Sequence, residues 1–209
     1  MMEYMNLVLE TSEDVYRPSD DSFLSAEMIA KLLDDFSKAK LEVLDVGTGS
    51  GILGLVAAMS EKTARVVFLD ADAAALELSR RNFEANRKIT KAFPEFVRSS
   101  LLSEIHENES FDMIIFNAPY LKNEKKDEEN EHNPWSGGRT GTEVSVRFLE
   151  QSLRHLRKGG IIILNASSFG DLERLEKEME RLDLRILERR SVHVFFEDMF
   201  SFAISRKQE

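Results

Sequence analysis

The sequence predicts an α/β domain with a mostly parallel seven-stranded sheet, helices on both faces and a C-terminal antiparallel hairpin. Three observations carry that expectation. Short apolar runs alternate with stretches of helical period, the first run breaks into glycines before a helix, and the chain closes on two consecutive β-rich runs. Strands alternating with helices demand crossover connections, which are right-handed and make the sheet parallel. At 209 residues the chain suits one domain with trimmings. Residues 1–209 are therefore read as one unit, with 1–36 as an N-terminal extension and helix and 41–206 as the core.

In chain order, Ile29, Leu32, Leu33 and Phe36 recur at helical spacing between Ser22 and Phe36, after a Pro18-Ser19-Asp20 helix entry, with Asp20 and Asp21 as capping residues. Leu41 to Val46 is a strand, followed by a glycine turn and a helix from Ile52 to Ser60. The alternation repeats as strand Ala64 to Asp70, helix Ala73 to Arg87, and strands Glu95 to Arg98 and Phe111 to Phe116. Lys122 to Asn133 is built of charged residues, Asn and His with no apolar one, and reads as an exposed, mobile loop. A helix from Glu143 to Arg157 is expected to stop at Gly159-Gly160 as a C-cap, ahead of a buried strand Ile161 to Asn165. Asp171 caps a helix that turns Leu172, Leu175, Met179 and Leu182 inward. The runs Leu184 to Phe196 and Phe200 to Ser205 then form a hairpin joined by Glu197-Asp198.

Composition narrows the function classes. The 38 acidic against 28 basic residues give a formal charge of −10, which disfavours partners held through their phosphates. With no cysteine and four scattered histidines (His106, His132, His155, His193), no metal site is expected. The longest nearly apolar stretch, Gly51 to Met59, falls well short of the roughly 20 residues that span a bilayer. Met1 to Glu10 has no basic region before an apolar one, so a soluble, cytoplasmic chain is expected.

The chemistry concentrates at two strand ends. Asp45-Val46-Gly47-Thr48-Gly49-Ser50-Gly51 closes the first strand, where missing Cβ atoms let backbone approach a ligand at a helix N-terminus. Asp70 ends the second strand 19 residues after Gly51, placed to accept hydrogen bonds from both hydroxyls of a ribose. Gly49-Ser50-Gly51-Ile52-Leu53-Gly54 also satisfies the dinucleotide pattern. Asp45 weighs against it, because a carboxylate there repels a pyrophosphate but suits an ammonium group such as that of the methionine part of S-adenosylmethionine. The alternative for Asp45 is a strand-end acid or a cap.

The fourth strand runs into Asn117-Ala118-Pro119-Tyr120, expected in the same crevice at the carboxyl edge of the sheet. The Asn117 carboxamide and the Ala118 carbonyl offer two acceptors to a planar NH2 group. Pro119 biases Ala118 away from the helical region and so fixes that carbonyl, and Tyr120 can stack on a flat substrate. These four residues are the catalytic candidates.

At these residues the chain resembles the S-adenosylmethionine-dependent methyltransferases, a Rossmann-like class I fold, and within them the HemK-type protein glutamine methyltransferases. Asp45 to Gly51 is similar to the first motif of that family, and Asn117 to Tyr120 to its Asn-Pro-Pro-Tyr. Val15 to Leu24 is similar to the opening segment of the short archaeal and eukaryotic branch, and Trp135-Ser136-Gly137-Gly138-Arg139-Thr140-Gly141 resembles the segment found there after the catalytic loop. The resemblance implies that Ser22, Asp45, Gly47 and Asp70 hold S-adenosyl-L-methionine and that Asn117 contacts both cofactor and substrate, with Gly49 and Gly51 of the glycine turn as further cofactor-binding candidates. It implies that the acceptor is the glutamine of the Gly-Gly-Gln motif in a peptide release factor, and that a small zinc-binding activator subunit takes part. Two departures stand out. Ala118 replaces the first proline, and Ser99-Ser100-Leu101 lacks the usual acid, leaving Ser100 to bond the adenine amino group. Trp135 is a substrate-side platform or the hydrophobic anchor of a loop.

An amide nitrogen is a poor nucleophile, so catalysis is expected to come from alignment and hydrogen bonding rather than from a prior general base. Two other readings stay open: N6-adenine or N2-guanine methylation of DNA or RNA through the same tetrapeptide, and an inactive cofactor-binding subunit. The strand at Phe93 to Arg98, with Pro94 near its start, is expected at a sheet edge, where an activator could add a strand.

Overall fold

The computed structural model describes residues 1–119 and 141–207. The Lys122 to Asn133 stretch, Tyr120 and Trp135 lie outside the described residues. Among the described residues, no helix is long and apolar enough to cross a membrane.

Seven strands form one sheet: β3 (Leu41–Val46), β4 (Thr63–Asp70), β5 (Phe93–Arg98), β6 (Phe111–Phe116), β7 (Leu156–Ser167), β8 (Leu184–Val194) and β9 (Glu197–Arg206). Their order is β5-β4-β3-β6-β7-β9-β8, parallel from β5 to β7 and antiparallel at β7-β9 and β9-β8. This is the expected Rossmann-like methyltransferase sheet with its C-terminal hairpin.

Side-chain alternation along the strands splits the interior into two layers. On one face Val43, Val66, Phe68, Met113, Ile115 and Ile163 pack against α1 (Asp20–Asp35), α2 (Ile52–Met59) and α3 (Ala73–Ala85). On the other, Leu44, Val67, Ile114, Ile162 and Phe202 meet α4 (Glu143–His155) and α5 (Leu172–Arg181). The central strands β3 and β6 are buried on both faces, which is why they read as continuous apolar runs rather than alternating ones. Asp72 and Asp171 cap α3 and α5, accepting from the Ala74 and Arg174 amides.

Three boundaries differ from the sequence expectation. Helix α4 ends at His155, and Gly159-Gly160 sits inside β7 beside a register shift against β6 rather than capping the helix. A Cβ on Gly160 would lie 2.9 Å from Leu156 Cδ1 and 3.1 Å from the Asp112 carbonyl, so the glycine answers to a close strand approach. The C-terminal hairpin turns at Phe195-Phe196, with Phe195 at φ +54°, so Glu197 and Asp198 begin β9 instead of forming the turn. The N-terminal extension also holds a hairpin that was not anticipated, β1 (Met2–Tyr4) and β2 (Leu7–Leu9), turning at Met5-Asn6 with positive φ at both. It is tied to α3 by Asn86, which accepts from the Val8 amide at 2.9 Å and donates to its carbonyl at 2.8 Å.

Candidate active site

Strand order reverses between β3 and β6, and the carboxyl ends of these two strands open the crevice in which open α/β sheets bind ligands. Val46 pairs with Phe116, so the glycine turn and Asn117 leave neighbouring strands at the same level.

The turn after β3 is held from below by Asp45. Its Oδ2 accepts from Thr48 Oγ1 at 2.6 Å and from the Gly54 amide at 2.9 Å. Gly54 is required by packing, since a Cβ there would meet Phe68 at 2.4 Å and Asp45 at 2.9 Å. Gly49 differs: at φ +54° it takes a left-handed backbone, and a Cβ there would meet Val15 at 3.8 Å, an ordinary contact, so conformation rather than crowding asks for glycine. Its amide donates to Asp70 Oδ2 at 3.0 Å, while Asp70 Oδ1 accepts from the Asp72 amide, so both oxygens keep a lone pair for a further donor.

Burial pushes the Asp45 carboxyl up to about 7, against the lowering effect of the bonds from Thr48 and Gly54, and the charge of Asp70 adds to the rise. Burial likewise raises Asp70. Neither forms an ion pair among the described residues. Two carboxyl groups without a cation at a glycine turn are suited to a ligand carrying positive charge and hydroxyl donors, as S-adenosylmethionine does. Ser100 is exposed just beyond the end of β5.

Asn117 is locked in place by a polar network entering from two directions. Its Nδ2 donates to Asp21 Oδ2 at 2.8 Å and lies 3.4 Å from Ser22 Oγ. Its Oδ1 accepts from Asn165 Nδ2 at 3.0 Å. Asn165, near the end of β7, also donates to the Asp21 carbonyl at 3.1 Å and accepts from Ser25, which in turn meets Ser201 at 3.0 Å. An ionised carboxylate only accepts, so Asp21 dictates which end of the Asn117 amide faces it. The Asn117 oxygen keeps one lone pair, and the buried Ala118 receives no hydrogen bond at its carbonyl among the described residues.

Ser22 is thus buried beneath Asn117 and bonded to Asp21. Asp20 and Asp21 do not cap α1 as expected: the N-cap is Ser19, with no side-chain capping bond, and Asp21 sits in the first turn, where it receives the hydroxyls of Tyr16 and Ser19 at 3.1 and 2.8 Å. Asn165 and Ser25 escaped the sequence reading. The available signal was a lone polar residue closing the apolar run Ile161 to Leu164, at the strand end facing the crevice.

The model of the methyltransferase small domain matches residues 24–190. A protein of Methanocaldococcus jannaschii named as a protein N5-glutamine methyltransferase is 29% identical over 182 residues, covering 85% of each chain. A release factor glutamine methyltransferase of Rhodopirellula baltica is 29% identical, covering 79% of this chain but 58% of that protein. A ribosomal RNA small subunit methyltransferase C of Klebsiella pneumoniae is 30% identical, covering 78% of this chain and 41% of its own. The chain therefore spans about half the length of these two bacterial relatives. Among solved structures, the E. cuniculi Mtq2-Trm112 complex responsible for methylation of the eRF1 translation termination factor superposes with a TM-score of 0.65 at 22% identity, covering 93% of this chain and 99% of that one.

Proposed function

Because the chain belongs to the methyltransferase small-domain family, we propose that it transfers the methyl group of S-adenosylmethionine to the side-chain amide nitrogen of a glutamine in a peptide release factor. The observation that carries this reading is the locked Asn117 carboxamide, with Oδ1 half-occupied by Asn165 and the Ala118 carbonyl beside it in the chain.

S-adenosylmethionine supplies an electrophilic methyl on a positively charged sulfur. In this reading Asp70 accepts the ribose hydroxyls, Gly47, Gly49 and Gly51 let the backbone approach, and Asp45 contributes negative charge from beneath the turn. Ser100 faces the adenine amino group, and Ser22 supports the site through Asp21. Asn117 Oδ1 and the Ala118 carbonyl accept the two protons of the glutamine NH2, which aims the nitrogen lone pair at the incoming methyl. Pro119 holds that carbonyl in place. Tyr120 and Trp135 complete the substrate side in the proposal. The released proton becomes acidic only as the N–C bond forms, so no strong base is needed ahead of it.

The archaeal relative supports a glutamine in a protein as the acceptor, and the Rhodopirellula relative and the E. cuniculi complex support a release factor. The latter also supports a small activator subunit, here placed as an added strand on the free edge of β5 and expected to bind zinc. The Klebsiella relative favours a second reading, methylation of a base amine through the same two acceptors. The net charge of −10 weighs against it.

Incubating the protein with labelled S-adenosylmethionine and a purified release factor, tRNA or DNA in parallel decides between them. Label is expected in the release factor and lost when its Gly-Gly-Gln glutamine is changed to alanine. Label in tRNA or DNA alone would sink the protein-acceptor reading.

A further inference from the structure

The tip of the C-terminal hairpin exposes two adjacent aromatic rings, Phe195 at 89% and Phe196 at 91%. Folding gives no reason for them. Phe195 stands at φ +54°, a left-handed position that costs a bulky side chain energy and that glycine would take freely. A third aromatic, Phe169 at 46%, belongs to the turn after β7. That turn is stitched to the hairpin, since Ser168 donates its amide to the Asp198 carbonyl at 2.9 Å and Asp198 returns its amide to Ser168 Oγ at 2.9 Å.

This apolar tip projects from the same edge of the sheet as the crevice, two strands away from β6. Strand β9 is antiparallel to β7, with Ser201 opposite Asn165 and Met199 opposite Ser167. Residues preceding Met199 therefore project beyond the carboxyl end of β7, the end near which Asn165 meets Asn117. At about 3.3 Å per residue Phe196 and Phe195 stand about 17 to 20 Å past the level of Asn165. A small acceptor seated at Asn117 could not reach it, whereas a folded protein presenting one loop to the crevice would.

Charge narrows the partner further. Around the aromatics, residues 168–173 and 191–199 contain Asp171, Glu173, Glu197 and Asp198 and no lysine or arginine. His193 is the one basic group there and lies 2.8 Å from Asp198. Acidic residues next to the exposed aromatics in the chain, Glu197 and Asp198 at the hairpin and Asp171 after Phe169, repel phosphate backbones and anionic lipid. They attract a protein surface whose apolar patch is bordered by lysine and arginine.

We propose that the Phe195-Phe196 tip, with Phe169 and its acidic border, is the docking surface for the acceptor protein, gripping a basic-rimmed apolar patch away from the methylated glutamine. The proposal rests on the protein-acceptor reading above. It predicts that recognition of the intact factor is divided between the crevice and this remote anchor, so losing the anchor raises KM and spares the chemistry.

The test compares wild type with the double variant Phe195→Gly, Phe196→Ser, and separately with Asp198→Lys, using purified release factor and S-adenosylmethionine. The expected result for the double variant is a KM for the factor raised tenfold or more, kcat within about twofold, and unchanged cofactor Kd and melting temperature. Asp198→Lys is expected to raise KM in the same direction and to flatten its salt dependence. An unchanged KM in the double variant overturns the docking surface. So does a wild-type dimer or wild-type binding to anionic vesicles that the double variant loses, because the tip then serves another occupant. A wild type that leaves the factor unlabelled sinks the acceptor reading itself and this proposal with it, a result distinct from an active wild type matched by its variant.

Discussion

Asn165 donates to Asn117 through Nδ2 at 3.0 Å, and this bond makes the candidate catalytic amide a fixed part of the fold rather than a free side chain. Asn117 spends its nitrogen on Asp21 and half its oxygen on Asn165, so only one lone pair faces the crevice. Both partners are buried, where an unmet hydrogen bond is costly, so flipping the amide would break two bonds at once.

Removing the amide and removing its holder should therefore look alike in kind and differ in degree. Asn117→Ala is expected to lower methyl transfer by at least roughly 100-fold while S-adenosylmethionine affinity stays within about an order of magnitude. Asn165→Ala should lower kcat about tenfold with cofactor Kd little changed. Added to Asn117→Ala, it should cost almost nothing more, because it acts through that residue. Calorimetry and turnover on the same preparations check all three. Additive losses in the double variant would make Asn165 a general stability residue.

Asp70 carries the next expectation. Asp70→Ala should weaken cofactor binding by about 1.5 to 3 kcal/mol, the scale for losing a charged hydrogen-bond partner. Because Gly49 also donates to this carboxylate, Asp70→Asn serves as the conservative control that keeps one acceptor oxygen. Normal binding by the alanine variant would remove Asp70 from the cofactor site.

The edge strand β5 allows a test of the activator. Phe96 stacks on Phe68 at 4.9 Å between centroids, with the Arg80 guanidinium 4.5 Å from its ring, so it belongs to the interior layer and replacing it would damage the fold. Phe93 at the same edge is 67% exposed. Phe93→Lys should preserve the circular dichroism spectrum and reduce co-purification of the activator several-fold. Undiminished capture would move the interface away from β5.

How much of this was legible in the sequence depends on whether local chemistry or distant packing decided the feature. The strands Leu41–Val46 and Phe111–Phe116 were readable to the residue, because runs buried on both faces end abruptly at glycine or at Asn-x-Pro. The end of α4 was not: Gly159-Gly160 looks like a cap, yet Gly160 serves the close approach of Leu156 and of Asp112 on the neighbouring strand, and Gly159 takes a positive φ within β7. The hairpin turn was placed two residues late, since Glu197-Asp198 has the usual turn chemistry and an exposed Phe195 at positive φ does not. Asp45, Asp70 and Asn117 announced themselves at strand ends. Asp21 and Asn165 are separated by 144 residues, and only the fold brings them onto one amide.

Asp45 gives a prediction in pH. Its folded pKa of about 7 stands above the value of about 3.9 expected in the unfolded chain. The folded protein therefore holds a proton that the unfolded chain has released throughout that window. The resulting stabilisation is full below about pH 4 and is lost as pH rises towards 7, levelling off above it. A cationic cofactor should draw Asp45 into its ionised form, so binding and proton release are linked. S-adenosylmethionine Kd should rise about tenfold on going from pH 7.5 to pH 6, the protonation penalty for a group with that pKa. Asp45→Asn should bind more weakly at pH 7.5 and lose this pH dependence, while remaining folded by circular dichroism. Calorimetry in two buffers of different ionisation enthalpy would show the proton release directly near pH 6.5. A Kd that stays flat from pH 6 to 7.5 in the wild type would mean that Asp45 only ties down the turn through Thr48 and Gly54 and takes no part in attracting the ligand.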